Sequence, residues 1–265
     1  MKMDGMRNLK LKIILPVYTS LALFLTPHNS PSYYHDEAVP KISIGHLEKD
    51  VHEMKSMIEF LENRVVDIRK SRIKAAIPKS EGYIDYIFSY SQGRNLEPEE
   101  VAALISCESG WDNYAVSPMG AAGMSMIMPQ TASSLGLSPI YRLEEFVENE
   151  ERYSRGEITK GQRNKFRKDY SDELRSIRDK GVDARFDAER SILAGIRLMG
   201  DMKYLFNDRV LSMAAYNAGS GAVDKWMTDG WKGSIDGIRY NETRKFVKNI
   251  MVYLEEIKGV DWVGY

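Results

Sequence analysis

The sequence predicts a predominantly α-helical fold with an N-terminal heptad helix, and three observations carry that reading. Leu47, Val51, Met54, Ile58, Leu61, Val65 and Ile68 alternate spacings of four and three, the stripe of a helix sustained over three heptads. Glu97-Pro98-Glu99-Glu100 stands ahead of the apolar run Val101 to Ile105, with a proline near a first turn, acids at the positive end of the helix dipole and Gly110 as the stop. Strand signals, by contrast, are scarce along the whole chain. With 265 residues, 43% of them hydrophobic, the chain can bury a sizeable core. A prior of about 100–200 residues per domain then gives one domain plus an appendage.

Taken in order, Lys2, Arg7, Lys10 and Lys12 precede an apolar stretch from Ile13 to Leu25, which reads as a positively charged region followed by a hydrophobic one. Residues 1–28 are therefore assigned as a signal peptide or a signal anchor. The stretch is short for a span of roughly 20 residues and carries Pro16, Thr19 and Ser20. It lacks a small-x-small cleavage site and a lipidatable cysteine, so cleaved and uncleaved forms both stay open, with a buried N-terminal segment as the plain alternative. Residues 29–80 hold a linker and the heptad helix. Val51, Ile58 and Val65 at one seam position, against Leu47 and Leu61 at the other, favour a parallel two-stranded coil, a homodimer through residues 47–68. Flanking charges vote both ways, since Asp50 would meet Lys55 and Arg64 would meet Arg69. Packing of this helix on its own domain is the alternative.

The main domain is assigned to residues 81–265. Tyr83, Ile84, Ile87, Phe88 and Tyr90 form an aromatic-rich helix before a Gly93-Arg94-Asn95 turn, and the helix ending near Glu108 follows. At about 138–182 comes a highly charged segment in which Phe166, Tyr170, Leu174 and Ile177 recur at helical spacing and Gly181 supplies a stop. It reads as an inserted helical excursion, either a solvated flank or a device that shapes a cleft or binds a partner. Asp187 is a plausible N-cap for the next helix, Leu211 to Ala215 lead into Tyr216, and Phe246, Ile250 and Leu254 stripe a closing helix.

Residue counts restrict the chemistry. The net charge of −1 gives no general electrostatic footprint for nucleic acid. All four histidines (His28, His35, His46 and His52) precede residue 53, so the main domain cannot host a Ser-His-Asp triad, a Cys-His pair or a histidine-rich zinc site. The single cysteine, Cys107, precludes an intrachain disulfide and reads as a small buried hydrophobe. Carboxylate chemistry remains, and Glu108 is its candidate. It stands near a helix end beside Ile105, Cys107 and Trp111, where lost hydration would raise its pKa toward the range useful for proton donation.

The residues around it form ordered blocks: Glu108-Ser109, Ser117-Pro118-Met119-Gly120-Ala121-Ala122-Gly123, Met128-Pro129-Gln130-Thr131-Ala132, then Ala215-Tyr216-Asn217-Ala218-Gly219 and Tyr240-Asn241-Glu242-Thr243-Arg244. Together they resemble the soluble lytic transglycosylases of the goose-lysozyme-like superfamily, over roughly residues 83 to 257. That resemblance implies a lysozyme-like fold, nominally α+β, and a peptidoglycan glycan strand as substrate, cut between N-acetylmuramic acid and N-acetylglucosamine. It implies Glu108 as the catalytic acid, with Ser109, Ser117, Met126, Met128, Tyr216, Asn217, Tyr240 and Glu242 binding substrate. It calls for no cofactor and no metal.

Most glycosidases use two carboxylates. The resemblance implies a one-carboxylate route, in which the substrate's acetamido oxygen stabilises the anomeric centre and the same glutamate then closes a 1,6-anhydro ring. Two other classes stay in view: a weak or inactive glycan-binding module of a cell-envelope assembly, and lysozyme-type hydrolysis by water. No second carboxylate within the blocks clearly occupies a water-activating position, which favours the anhydro route. One departure favours reduced activity. Where the family carries Gly-Leu-Met-Gln, this chain reads Gly123-Met124-Ser125-Met126, so a thioether stands in place of a cleft amide. The implied location is exported and periplasmic, with inner-membrane attachment through an uncleaved N-terminus.

Overall fold

A computed structural model describes residues 44–259, so the segment assigned as a signal (1–28) and the first part of the linker lie outside the described residues. The helices are α1 (Ile44–Ala76), α2 (Ile84–Ser91), α3 (Pro98–Glu108), α4 (Pro129–Ser134), α5 (Leu143–Ser154), α6 (Lys160–Ile177), α7 (Ala188–Phe206), α8 (Arg209–Ala218), α9 (Ser220–Thr228) and α10 (Asn241–Gly259), with short 3₁₀ turns between several of them. The chain divides into two compact units, Met1–Ser56 and Met57–Tyr265. Of the first unit only the opening residues of α1 are described.

In the second unit the main apolar core is built where α3, α7, α8 and α10 meet. Val101, Leu104 and Ile105 from α3, Ile192 and Ile196 from α7, Met213 from α8, and Val247 and Ile250 from α10 are all buried in one cluster. A second cluster joins Ile73 and Ile77 at the end of α1 to Ile84, Phe88, Ala102 and Ile257. The last turns of α1 therefore belong to the same packed body as α2 and α3. Arg69 reinforces the join by pairing with both Glu97 and Glu99 at the start of α3.

The start of α3 follows the sequence reading closely. Pro98 occupies the first turn, and Glu97 and Glu100 form a reciprocal capping box. Glu100 does more than serve the dipole: it is 1% exposed and paired with Lys203 of α7 and Arg209 of α8. Those cations hold its carboxyl below the usual range against burial, which pushes it up.

The α+β expectation is met only in its helical part. Among the described residues the extended pairing amounts to two isolated bridges, Val116 to Ala122 and Ala122 to Ile127. The cause is local. Gly120 (φ 98°), Gly123 (φ 82°) and Met126 (φ 45°) take left-handed conformations within the segment, so no strand can run on through it.

The charged segment forms α5 and α6, and it buries its own apolar face. Phe146, Tyr170, Leu174, Ala122 and Phe186 make a third cluster. Helix α6 ends at Ile177, before Gly181, because Arg178 (φ 45°) provides the left-handed closing residue and the Asp179 carboxylate accepts from Gly181 N.

Candidate active site

The site begins where α3 stops. Ser109 N donates to Ile105 O at 3.1 Å, and Gly110 (φ 59°) then turns the chain away from the helix. Trp111 continues left-handed at φ 71°, an uncommon conformation for a bulky residue that needs support from its surroundings. The support is visible: its indole donates to Ser106 Oγ at 2.8 Å, its backbone N to Ser109 Oγ at 3.1 Å, and its ring stacks on Tyr83 with centroids 6.0 Å apart. The turn thus fixes the last residue of α3, Glu108, and the Ser109 hydroxyl is spent on doing so.

One wall is the segment from Ser117 to Ile127. Ser117 Oγ accepts from Met119 N and Ala121 N, which shapes the Ser-Pro-Met-Gly turn. Ala122 and Ile127 exchange two backbone bonds of 3.1 Å. Gly123 is required here: a Cβ at its position would lie 2.0 Å from Arg185 O. Met126 sits in the tight turn that follows, and Met128 stands immediately before α4 and packs on the Phe146 cluster.

Arg185 braces this wall from behind. Fully buried, its guanidinium donates to Gly120 O at 2.8 Å, Ile127 O at 3.0 Å, Tyr170 Oη at 2.8 Å and the equally buried Asp183. Sequence reading missed this residue, because an arginine two positions from an aspartate looks the same whether it is solvated or buried.

The second wall comes from α8 and α10. Tyr216 Oη donates to Ser125 O at 2.8 Å, tying the end of α8 to the Met126 turn, and its ring stacks on Phe246 at 6.5 Å. Gly195 of α7 makes the approach possible, since a Cβ there would lie 2.3 Å from Ser125 Oγ and 3.4 Å from Tyr216 Oη. Thr243 Oγ1 donates to Asn217 Oδ1 at 2.7 Å, which fastens the start of α10, and so its neighbour Glu242, to the end of α8. Tyr240 lies edge-on to Trp226 at 4.9 Å and remains 53% exposed.

Electrostatics bring the two walls and the end of α3 to one point. The Glu108 carboxyl is pushed up from 4.5 to about 8, first by burial and second by the negative charge of Glu242. It still keeps part of its surface open to solvent. Burial, and then the Glu108 charge, raise the Tyr216 phenol well above its ordinary range, and Cys107 is pushed up to about 12 by the same two causes. The thiol therefore stays protonated and unreactive. Glu108, Tyr216 and Glu242 are thus electrically coupled, Asn217 joins them through Thr243, and Met126 adjoins the Ser125 carbonyl that anchors Tyr216. Ser109 and Ser117 are engaged in their own turns. Among the described residues no group of three or more His, Cys, Asp or Glu side chains is placed to hold a metal ion.

The site so defined is one buried carboxyl at the end of a helix, held between a glycine-rich turn segment and the junction of two further helices. The Transglycosylase SLT domain family matches residues 85–151 and 163–235, more than half of the chain, and the chain belongs to that family. The matched residues include Glu108 and Tyr216, while Tyr240, Glu242 and α1 lie outside them, and the break falls at the connection between α5 and α6.

Among curated proteins, the soluble lytic murein transglycosylase of Salmonella typhimurium is 26% identical over 179 residues, covering 64% of this chain and 22% of that one. The soluble lytic murein transglycosylase of Escherichia coli K12 is 27% identical over 178 residues, with the same two coverages. Membrane-bound lytic murein transglycosylase D of E. coli K12 is 26% identical over 200 residues, 72% of this chain and 34% of that one. The matches thus span about a fifth to a third of these relatives' length. Among solved structures, the 70 kDa soluble lytic transglycosylase of E. coli aligns at 25% identity and a TM-score of 0.46, covering 66% of this chain and 24% of that one.

Proposed function

We propose that this chain is a peptidoglycan lytic transglycosylase, a lyase that cuts the bond between N-acetylmuramic acid and N-acetylglucosamine and leaves 1,6-anhydro ends. The observation that carries the proposal is the state of Glu108. A carboxyl held neutral up to about pH 8 is a proton donor at neutral pH, as the first step requires. Glu108 protonates the glycosidic oxygen as the bond to the anomeric carbon breaks, and the substrate's acetamido oxygen stabilises that carbon. Glu108, now a carboxylate, takes the proton from the 6-hydroxyl, whose oxygen closes the anhydro ring. The acid is thereby restored, and no cofactor enters.

Tyr216 has a defined part in this reading. Its hydroxyl proton is committed to the Ser125 carbonyl, which ties the end of α8 to the Met126 turn, and the Glu108 charge raises its pKa, so the phenol stays neutral beside the acid. Asn217, Tyr240, Met126 and Met128 would line the sugar path, with the fold arranged as in lysozymes. The substrate assignment is supported by the family and by the names of the murein transglycosylases it resembles. The same reading gives an exported, periplasmic protein. An uncleaved N-terminus would hold it at the inner membrane. Among the described residues no helix is long and apolar enough to cross a membrane.

Hydrolysis is the second reading, and Glu242 favours it. This exposed carboxyl group lies close enough for its charge to be felt at Glu108, and a second carboxyl beside an acid is the pairing that activates water in inverting glycosidases. The proposal is tested by release of soluble fragments from purified peptidoglycan. Glu108→Gln should lower turnover by at least about 10²–10⁴-fold with the fold intact. Retained turnover would remove Glu108 from the mechanism, and no release by the unaltered protein would leave a glycan-binding module.

A further inference from the structure

Helix α1 is longer than its packing requires. Its last turns, from Ile73 on, are buried against α2 and α10, whereas an apolar stripe upstream of them faces solvent. Met54 is 43% exposed, Leu61 52% and Val65 39%, and Met57 and Phe60 are exposed beside them. Large exposed apolar residues scattered singly need no explanation, but Met54, Leu61 and Val65 fall on one repeating seam.

The seam specifies its occupant. Val51, Ile58 and Val65 take one inward position of the heptad and Met54, Leu61 and Ile68 the other, with Leu47 continuing the second upstream in sequence. β-branched residues at the first position with Leu or Met at the second select two parallel strands. A parallel pair in register sets Asp50 of one copy against Lys55 of the other, an attraction. It also sets Arg64 against Arg69, which from the sequence alone is a repulsion. The structure reverses that sign. Arg69 is already held by the carboxylates of Glu97 and Glu99, one cation against two anions, so Arg64 of a second copy would meet a cluster with a net charge of −1. Both flanking contacts then favour the same arrangement, which the sequence left undecided.

We infer that α1 is a dimerisation helix whose partner is a second copy of this chain, paired in parallel through Val51, Met54, Ile58, Leu61 and Val65. Parallel pairing sets two catalytic domains at the same end of the coil. On a polymeric substrate with repeated sites, that converts the second binding event into an intramolecular one.

The test is analytical ultracentrifugation of the full chain in mild detergent at tens of micromolar. The unaltered protein should sediment as a dimer of the 30.3 kDa chain. Ile58→Glu and Leu61→Glu should each weaken the dimer at least tenfold, and Phe60→Glu, which lies off the seam, should leave it intact. All three side chains project from α1 without a place in the buried clusters, so near-ultraviolet circular dichroism should be unchanged. In the same register, Ile58→Cys should cross-link under oxidation well above the background set by Cys107 in the unaltered protein. A monomer, a mass above the dimer, equal loss in the Phe60 and Ile58 variants, or a dimer in which Ile58→Cys fails to cross-link would each overturn the inference.

Discussion

Replacing Glu108 by Gln should stabilise the protein, and by an amount that depends on pH. In the folded chain the carboxyl titrates near 8 instead of 4.5, so between those values the native state holds a proton that the unfolded chain has released. Stability from this residue is therefore fully present below about pH 4.5, falls as pH rises through the window, and is lost above about 8. A displacement of roughly 3.5 in pKa, at about 1.36 kcal/mol per unit, sets a ceiling near 5 kcal/mol. The side chain keeps part of its surface in water, and solvent screening lowers the effect to about 2 kcal/mol. In a unit of this size that is about 4–8 °C in Tm. Thermal unfolding of both proteins should give matching Tm values at pH 4.5 and a Gln variant ahead by that margin at pH 9. A constant difference across the range would refute the burial argument, and with it the account of how Glu108 becomes an acid.

The kcat/KM of the unaltered enzyme should fall as pH rises through about 8, where Glu108 loses its proton, and Glu242→Gln should move that limb to lower pH by removing the like charge. A limb that stays in place would detach the two carboxylates. Arg185→Met should cost about 3–5 kcal/mol, because it strands Asp183 as a buried charge and leaves the Gly120 and Ile127 carbonyls without their donor. Calorimetry showing a Tm within 3 °C of the unaltered protein, roughly 1 kcal/mol, would contradict this. A chain starting near Ser80 loses Ile73, Ile77 and the Arg69 pairs and should aggregate, whereas one starting at Met57 should unfold cooperatively near the full-length Tm. Met126→Gln should raise turnover on isolated peptidoglycan by a few fold if the amide restores one neutral hydrogen bond of about 0.5–1.5 kcal/mol. Unchanged turnover with the fold intact would mean that Met126 only packs the turn.

What could be read beforehand divides by the range of the interaction. The start of α3 was legible because Pro98, Glu97 and Glu100 act within one turn, and Asp187 caps α7 through Arg190 N as its type and place imply. The raised pKa of Glu108 followed from apolar neighbours in sequence, yet the part played by Glu242 did not, because 134 positions separate the two and only the fold brings their charges together. Glu100 read as a helix-dipole residue, and its ion pairs with Lys203 and Arg209 depend on how α3 meets α7 and α8. The burial of Ile73 and Ile77 was not legible, since a heptad stripe looks the same whether its last turns meet a second helix or the domain itself.

Product chemistry tests the central claim most directly. Purified peptidoglycan is digested to completion, and the released muropeptides are weighed by mass spectrometry without prior chemical reduction. The account predicts fragments ending in 1,6-anhydro-N-acetylmuramic acid, each lighter by one water than its hydrolytic counterpart and inert to borohydride. Fragments ending in a reducing sugar would contradict it and assign Glu242 or another carboxylate to the activation of water.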